Sequence, residues 1–452
     1  MKTTSSPFVF TGGIHPDYHK ELSASAPITA IAMPRVLAVP MAQHLGAPAK
    51  PVVKLGDIVK KNQLIGEPGG FISAAIHAPV AGKVTSIGEA ITPSGRTCAA
   101  VVIETDEQGE AECLAPITDW QRADKAALQN RIGEAGVVGM GGAGFPTKVK
   151  LSPPANKPID TLILNGAECE PYLTSDHRMM IEHAKEIRIG AEIIRSILGA
   201  KTVRVAIEDN KPEAIAAMEK AFADIEGDVE IFVLETSYPQ GAEKQQIYSV
   251  TGREVPRGGL PMDIGCVVEN VSTAYALFDA VLNGQPLTRR VASVTGDAVT
   301  TPSNLLVPNG TSYADLVAAC GGLKSKAVKI ISGGPMMGFS VNTLNMPTGK
   351  TTSGVVLLSA ASALVSSYTS QACISCGRCV EACPMRLIPS EVSQFIEADD
   401  IESAAQVHTL DCIECGACSY VCPAHRPLTH HCRRAKAVIL AKRAADAAAK
   451  QQ

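Results

Sequence analysis

Along the chain the spacing of apolar positions changes several times, and each change predicts a different kind of structure. Across residues 28–104, apolar residues come in short runs, such as Lys83-Val84-Thr85 and the stretch from Ala99 to Glu104, broken by Gly and Pro. That pattern predicts an all-β unit. Over residues 119–135 the spacing turns helical, with Ala126, Ala127, Leu128 and Ile132 on one face and Asp119 as the cap. Residues 160–165 read as a buried strand. Residues 177–198 read as one long helix, with Ile181, Ala184, Ile187, Ala191, Ile194 and Leu198 on its apolar face. A strand at 202–207, a helix at 212–222 and a strand at 229–234 follow. Alternating strand and helix predicts a mostly parallel sheet. Residues 289–323 are mixed: strands at 291–295 and 305–307, then a helix at 312–320 that Gly321-Gly322 ends. Residues 342–353 are polar, with Pro347 and Gly349, and read as a linker. A basic, Ala-rich helix at 435–450 closes the chain.

Length and charge narrow the class. At 452 residues the chain is expected to hold several domains, and a formal net charge of -4 gives no reason to expect nucleic acid as a partner. Residues 1–7 are polar, so no signal peptide is read there. The most membrane-like run, 354–365, is interrupted by Ser359 and Ser362 and falls short of the roughly 20 apolar residues a spanning helix needs. The expectation is a soluble or peripheral protein of a reducing compartment, where thiols stay free.

Of fourteen cysteines, eight fall in two copies of one spacing. The first is Cys373-x-x-Cys376-x-x-Cys379-x-x-x-Cys383-Pro384, the second Cys412-x-x-Cys415-x-x-Cys418-x-x-x-Cys422-Pro423. Three closely spaced thiolates wrap one corner of a [4Fe–4S] cube, and the fourth crosses to the other cluster. One cluster is thus expected on Cys373, Cys376, Cys379 and Cys422, the other on Cys412, Cys415, Cys418 and Cys383. Zinc also takes four thiolates, but does not call for a third Cys and a Cys-Pro in each run. The remaining six (Cys98, Cys113, Cys169, Cys266, Cys320, Cys432) read mostly as small buried hydrophobes.

The second chemical feature is residues 139–150, Gly-Met-Gly-Gly-Ala-Gly-Phe-Pro-Thr-Lys-Val-Lys. It contains G-x-G-x-x-G, yet a helix rather than a full strand precedes it, and no acid follows where a dinucleotide fold places one. The glycines still allow a flat ring or a phosphate to approach the backbone, and their N–H groups form an anion nest. Phe145 adds a flat apolar surface and Lys150 a cation. After the next predicted strand come Asn165, Glu168 and Glu170, at the strand end where open α/β sheets bind ligands. Further on lie Gln240-Gly241-Ala242-Glu243 and Glu269-Asn270-Val271-Ser272-Thr273.

These segments, in this order, resemble the flavin- and NADH-binding subunit of respiratory complex I and of soluble hydrogenases. Over nearly its whole length the chain more closely resembles the C subunit of the Rnf electron-transport complex, from the Gly12-Gly13-Ile14-His15-Pro16 opening to the cluster motifs. The region around Gly56-Asp57-Ile58-Val59 and His77-Ala78-Pro79-Val80-Ala81-Gly82 looks like a lipoyl or biotinyl domain without its modified lysine. The resemblance implies a multidomain α/β plus β chain. It consists of an N-terminal segment (1–30), a lipoyl-like barrel-sandwich domain (31–112), an α/β FMN/NADH-binding core (113–286) and a β-grasp-like module (287–341). A linker (342–360), a bacterial 2[4Fe–4S] ferredoxin-like domain (361–434) and the C-terminal helix (435–452) complete it.

By position, the resemblance implies that Gly139, Gly141, Gly142, Gly144 and Lys150 cradle FMN. It implies that Asn165, Glu168 and Glu170 line the flavin and nicotinamide site, that Asn270 and Thr273 contact the FMN phosphate or ribityl chain, and that Phe145 and Glu243 receive NADH. Met140, Ala242 and Glu269 depart from the complex I pattern. The implied activity passes electrons from NADH through FMN to two [4Fe–4S] clusters. The chain would be a peripheral subunit on the cytoplasmic face of the bacterial inner membrane, exchanging electrons with a ferredoxin-type subunit of a complex that moves Na+ or H+. The rival readings are a cobalamin reductase and a non-catalytic iron–sulfur adaptor.

Overall fold

The computed structural model describes residues 2–363, 365 and 369–449. At its centre is a parallel five-stranded sheet in the order Lys2–Ser5, Asp228–Leu234, Thr202–Glu208, Thr161–Gly166, Cys266–Asn270. The middle strands are apolar runs because helices cover both faces, so alternation with polar residues is not required. Helix Ala184–Leu198 lays Ile187, Ala191, Ile194 and Ile197 into the core and crosses helix Val271–Leu282. Gly190 makes that crossing possible, since a Cβ there would stand 1.8 Å from the carbonyl oxygen of Ala274.

Strand order reverses at Thr161–Gly166. The chain leaves this strand to build outward on one side, then returns to lay Cys266–Asn270 on the other. Such a switch point opens a crevice at the carboxyl ends of the two strands, here Asn165 and Asn270.

Beside this domain, residues 31–112 form two small antiparallel sheets around Leu37, Val39, Ile65, Ile76, Val84 and Ile103. A third unit is the six-stranded sheet Phe339–Val341, Ala327–Ser332, Gly354–Ser359, Arg289–Thr295, Ser303–Pro308, Ile28–Ala30. The buried Lys350 ammonium donates to the carbonyls of Ala75 and Gly136, at 2.6 Å each, and so ties all three units together. In the cysteine-rich segment the short helices Arg378–Glu381 and Ala417–Tyr420 pack on each other, and helix Leu428–Ala449 covers Ala417–Tyr420 and Pro389–Glu397.

Several expectations need correction. Residues 342–360 are not a linker throughout, because Gly354–Ser359 is a fully buried strand inside the six-stranded sheet. Of the membrane-like run 354–365, the rest is turn, and Leu364 lies outside the described residues. The N-terminal segment is not separate: Lys2–Ser5 and Ile28–Ala30 are edge strands of two different sheets. The closing helix starts at Leu428, inside the cysteine-rich segment, and is described as far as Ala449. The helix at 177–198 is two helices, Ser175–Glu182 and Ala184–Leu198, broken at His183. The helix expected from Asp119 begins only at Lys125, after Asp124. Among the described residues no helix is long and apolar enough to cross a membrane.

Candidate functional site

The glycine loop lies across the switch-point crevice. A hydrogen bond from Gly139 N–H to the Phe145 carbonyl closes it at 2.9 Å. Met140 N–H donates to Thr273 Oγ1 at 2.9 Å, pinning the loop to the start of helix Val271–Leu282. Asn270 caps that helix: its Oδ1 accepts from the N–H groups of Ser272 and Thr273, and its Nδ2 donates to Asp176 at 2.7 Å. The Asn270 and Thr273 side chains therefore build the floor under the loop. Gly141 packs on that floor, where a Cβ would meet Asn270 Cβ at 3.3 Å. Gly142 has φ +124, is exposed and has nothing within 4 Å of a Cβ position, so its backbone is open to a ligand.

Charge gathers at the same strand ends. Lys150, 26% exposed, pairs with Glu243 at 3.0 Å. Burial pulls the Lys150 pKa down, but Glu269 and Glu243 outweigh it and hold it above its ordinary value. Glu269 is buried and its Oε1 has no hydrogen-bond partner. Burial pushes its carboxyl up to about 7, with Lys150 opposing the rise. Asn165 donates to the Gly241 carbonyl at 2.8 Å and accepts from Gln246 Nε2 at 3.0 Å, while Gln246 Oε1 is unpartnered. Glycines with an open face, a cation and unpartnered buried oxygens fit a flat, hydrogen-bonding, anionic group such as FMN.

The structure thus brings together the glycine loop, Lys150, Asn165, Glu243, Asn270 and Thr273. Half-buried Phe145 closes the loop through its carbonyl, which accepts from Gly139 N–H. Glu168 and Glu170 have other partners. Glu168 accepts from the N–H groups of Asp176 (2.8 Å) and His177 (3.0 Å) at the start of helix Ser175–Glu182. It reaches the crevice only through Asp176, which holds Asn270 and Ser272. Glu170 accepts from Met336 and Met337 N–H, away from the loop. Asp176, Gln246 and Glu269 were not singled out as site residues in the sequence; Glu269 alone left a trace there, as a departure from the motif.

The eight motif cysteines line two cavities. Cys373, Cys376, Cys379 and Cys422 surround one of about 360 Å³, counting its opening to solvent. Cys383, Cys412, Cys415 and Cys418 surround another of about 410 Å³. Among the described residues no three such side chains lie close enough to hold a single ion. Four thiols spread round a cavity of this size instead leave room for a four-iron cube. Cys432, buried in an apolar cluster with Val392 and Ile396, also lines the second cavity. Cys113 is exposed, not buried.

The second cavity abuts the crevice. Tyr238 donates its hydroxyl to the Cys415 carbonyl at 2.5 Å, and Gln245 Nε2 reaches the Pro384 carbonyl at 3.3 Å. Ile14, Cys169, Tyr238, Ala382, Cys415 and Ala417 form one apolar cluster between them. The Gly12-Gly13-Ile14 segment threads this seam: Gly13 N–H donates to the Ala382 carbonyl, and Ile14 exchanges two 2.8 Å bonds with Tyr238. Gly12 has φ +80, and a Cβ would meet the Cys383 carbonyl oxygen at 2.8 Å.

Four family models match in chain order. They are the RnfC barrel sandwich hybrid domain at residues 8–108, the Nuo51 FMN-binding domain at 132–279, the SLBB domain at 291–340 and a 4Fe-4S dicluster domain at 372–425. The chain is 47% identical to the C subunit of the proton-translocating ferredoxin:NAD(+) oxidoreductase complex of Clostridium ljungdahlii, covering 89% of this chain and 87% of that one. It is 42% identical to the C subunit of the Na(+)-translocating ferredoxin:NAD(+) oxidoreductase complex of Acetobacterium woodii, over 96% and 98%. Among solved structures, an NAD+-reducing [NiFe]-hydrogenase in the H2-reduced state has a similar fold, with TM-score 0.51 and 21% identity over 70% of this chain and 65% of that chain.

Proposed function

Because the chain belongs to the C-subunit family of ion-translocating ferredoxin:NAD(+) oxidoreductase complexes, we propose that it is the electron port between NAD(H) and the iron–sulfur chain of such a complex. FMN bound in the crevice would supply the exchange between hydride transfer and single-electron transfer. Gly139, Gly141 and Gly142 would form the cradle, with Asn270 and Thr273 as its floor and Asn165 at its edge, whereas Gly144 packs against Thr351 and His44 of the neighbouring units and shapes the loop from behind. Lys150 offsets the negative charge of the ligand, and Glu243 and Phe145 stand where NADH would enter. Glu168 acts from behind, through Asp176.

Cys373, Cys376, Cys379 and Cys422 would hold one [4Fe–4S] cluster, and Cys383, Cys412, Cys415 and Cys418 the other. The cavity for the second lies across the Tyr238 and Cys169 seam from the crevice. The cavity for the first includes the exposed Cys376. Electrons would therefore pass from the crevice to the inner cluster, then to the outer cluster and a ferredoxin-type partner subunit. The chain itself would sit peripherally, on the cytoplasmic face of the inner membrane, in a complex that couples this flow to Na+ or H+ movement.

The observation that carries this reading is the convergence of glycine loop, charged strand ends and inner cysteine cavity on one switch-point crevice. The test is anaerobic: purify the chain, assay iron, sulfide and FMN, add NADH, and follow flavin bleaching and cluster EPR. Bound FMN with two clusters, all reduced by NADH, is the expected result. Clusters without flavin, or a flavin that NADH leaves oxidised, would refute it in favour of an adaptor.

A further inference from the structure

Glu170 lies in the loop after strand Thr161–Gly166, within the run that the motif assigns to flavin. Its carboxylate instead takes the N–H groups of Met336 at 3.1 Å and Met337 at 2.7 Å. These belong to the tight turn at residues 333–338 of the six-stranded unit, 166 and 167 positions away. The fit is close, since a Cβ on Gly334 would stand 2.2 Å from Glu170 Oε2.

The far side of that turn bears on the inner cysteine loop. The Met336 carbonyl oxygen would lie 2.8 Å from a Cβ on Gly416, the residue after Cys415. The Met337 carbonyl accepts from Arg433 at 3.0 Å. Arg433 also pairs with Glu414 at 3.2 Å, directly before Cys415, and lies 5.1 Å over the Phe339 ring. One carboxylate thus anchors a turn that packs on Gly416 and reaches Glu414 through Arg433, on either side of a proposed cluster ligand.

We propose that Glu170 is a positioning residue for the inner cluster: it fixes the 333–338 turn, and that turn sets the place of the loop carrying Cys412, Cys415 and Cys418. Two N–H bonds to one carboxyl group form a directional two-point clamp. The clamp sits on the loop that follows strand Thr161–Gly166, so it ties the parallel-sheet domain to the cysteine loop through the turn. The inference rests on the two-cluster reading above.

The test uses the full chain, purified anaerobically, as wild type, Glu170→Gln, Glu170→Ala, Gly334→Ala and Gly416→Ala. FMN content, iron content and the EPR spectrum and midpoint of each cluster under dithionite titration are read for all. Glu170→Ala and Gly416→Ala, acting from opposite sides of the turn, should shift or broaden the same cluster signal, leave the other unchanged and keep FMN. Glu170→Gln retains one acceptor oxygen and should lie between wild type and Ala. Loss of FMN with both cluster signals intact would overturn the proposal and return Glu170 to the flavin. Unchanged signals in all variants would overturn it equally. Should Glu170→Ala fail to fold, Glu170→Gln and Gly334→Ala decide by the same criteria. A wild type that lacks FMN would refute the electron-port reading, yet the dithionite-reduced spectra would still judge Glu170.

Discussion

Replacing Gly142 by alanine separates what the glycine loop does for its ligand from what it does for the fold. Gly142 sits at φ +124, where side chains other than hydrogen are strained, and a Cβ there meets no atom within 4 Å. The added methyl has no protein clash to resolve; it carries only backbone strain and whatever space the ligand needs. Strain at such positions costs roughly 1–3 kcal/mol. If the free loop relaxes in the variant, binding must restore that strain, which weakens FMN affinity by roughly 5- to 150-fold. A methyl directed at the ring adds to the loss. Gly95 is the control: it has φ +81 and nothing within 4 Å of a Cβ, so it carries the same kind of strain, but it lies in the hairpin between strands Gly82–Ile91 and Thr97–Thr105 of the barrel-sandwich unit. The assay is titration of deflavinated protein with FMN, read by quenching of flavin fluorescence, with thermal melting as the check on folding. Gly142→Ala should weaken binding at a near-normal melting temperature, and Gly95→Ala should bind normally. Wild-type affinity in Gly142→Ala, or equal losses in both, would refute the assignment of the open face to the flavin.

Other outcomes follow from the same geometry. Cys422→Ser should damage the cluster that Cys373, Cys376 and Cys379 hold, visible as loss of one of two EPR signals; loss confined to the other cluster would overturn the crossed arrangement. Burial lifts the Glu269 carboxyl from 4.5 to about 7, so the folded chain binds more protons than the unfolded one across that window and Glu269 costs stability as pH rises through it. Glu269→Gln should therefore stabilise the flavin-free protein above pH 7, by up to about 3 kcal/mol, and change little below about pH 4.5; urea denaturation at both ends measures it, and a gain independent of pH would contradict the cause. Gly190→Ala would place a methyl 1.8 Å from the Ala274 carbonyl oxygen, so the two helices must separate, at a cost of about 1–3 kcal/mol or more; an unchanged melting temperature would contradict that packing.

Elements whose cause is local were legible in the chain. Helix Pro212–Phe222 matches its expected bounds because Pro212 starts it and the apolar period carries it. The strands at 161–166, 202–208 and 228–234 follow from apolar runs that two helical layers bury. Strand Lys2–Ser5 left no such trace, since all four residues are exposed and only backbone pairing with Asp228–Leu234 defines it. Gly354–Ser359 is apolar, yet a polar stretch precedes it, and membership of a sheet depends on partners at residues 293–295 and 327–332.

The site divides along the same line. Thiols that wrap one corner of a cluster must lie within a few residues of each other, so spacing alone identified them. Glycines beside a ligand are needed for backbone approach, a property of the residue itself, and the loop stood out for that reason. The choice of partner for a carboxylate is different. Glu168 and Glu170 are two positions apart in one motif, yet one caps a helix a few residues on and the other clamps a turn more than 160 residues away. A carboxylate accepts from whatever N–H groups the packed chain brings to it. Residue type and spacing therefore pointed to the cofactors and to the candidate residues around them. The tertiary structure alone decided which acidic residues face the ligand and which hold the neighbouring domains in place.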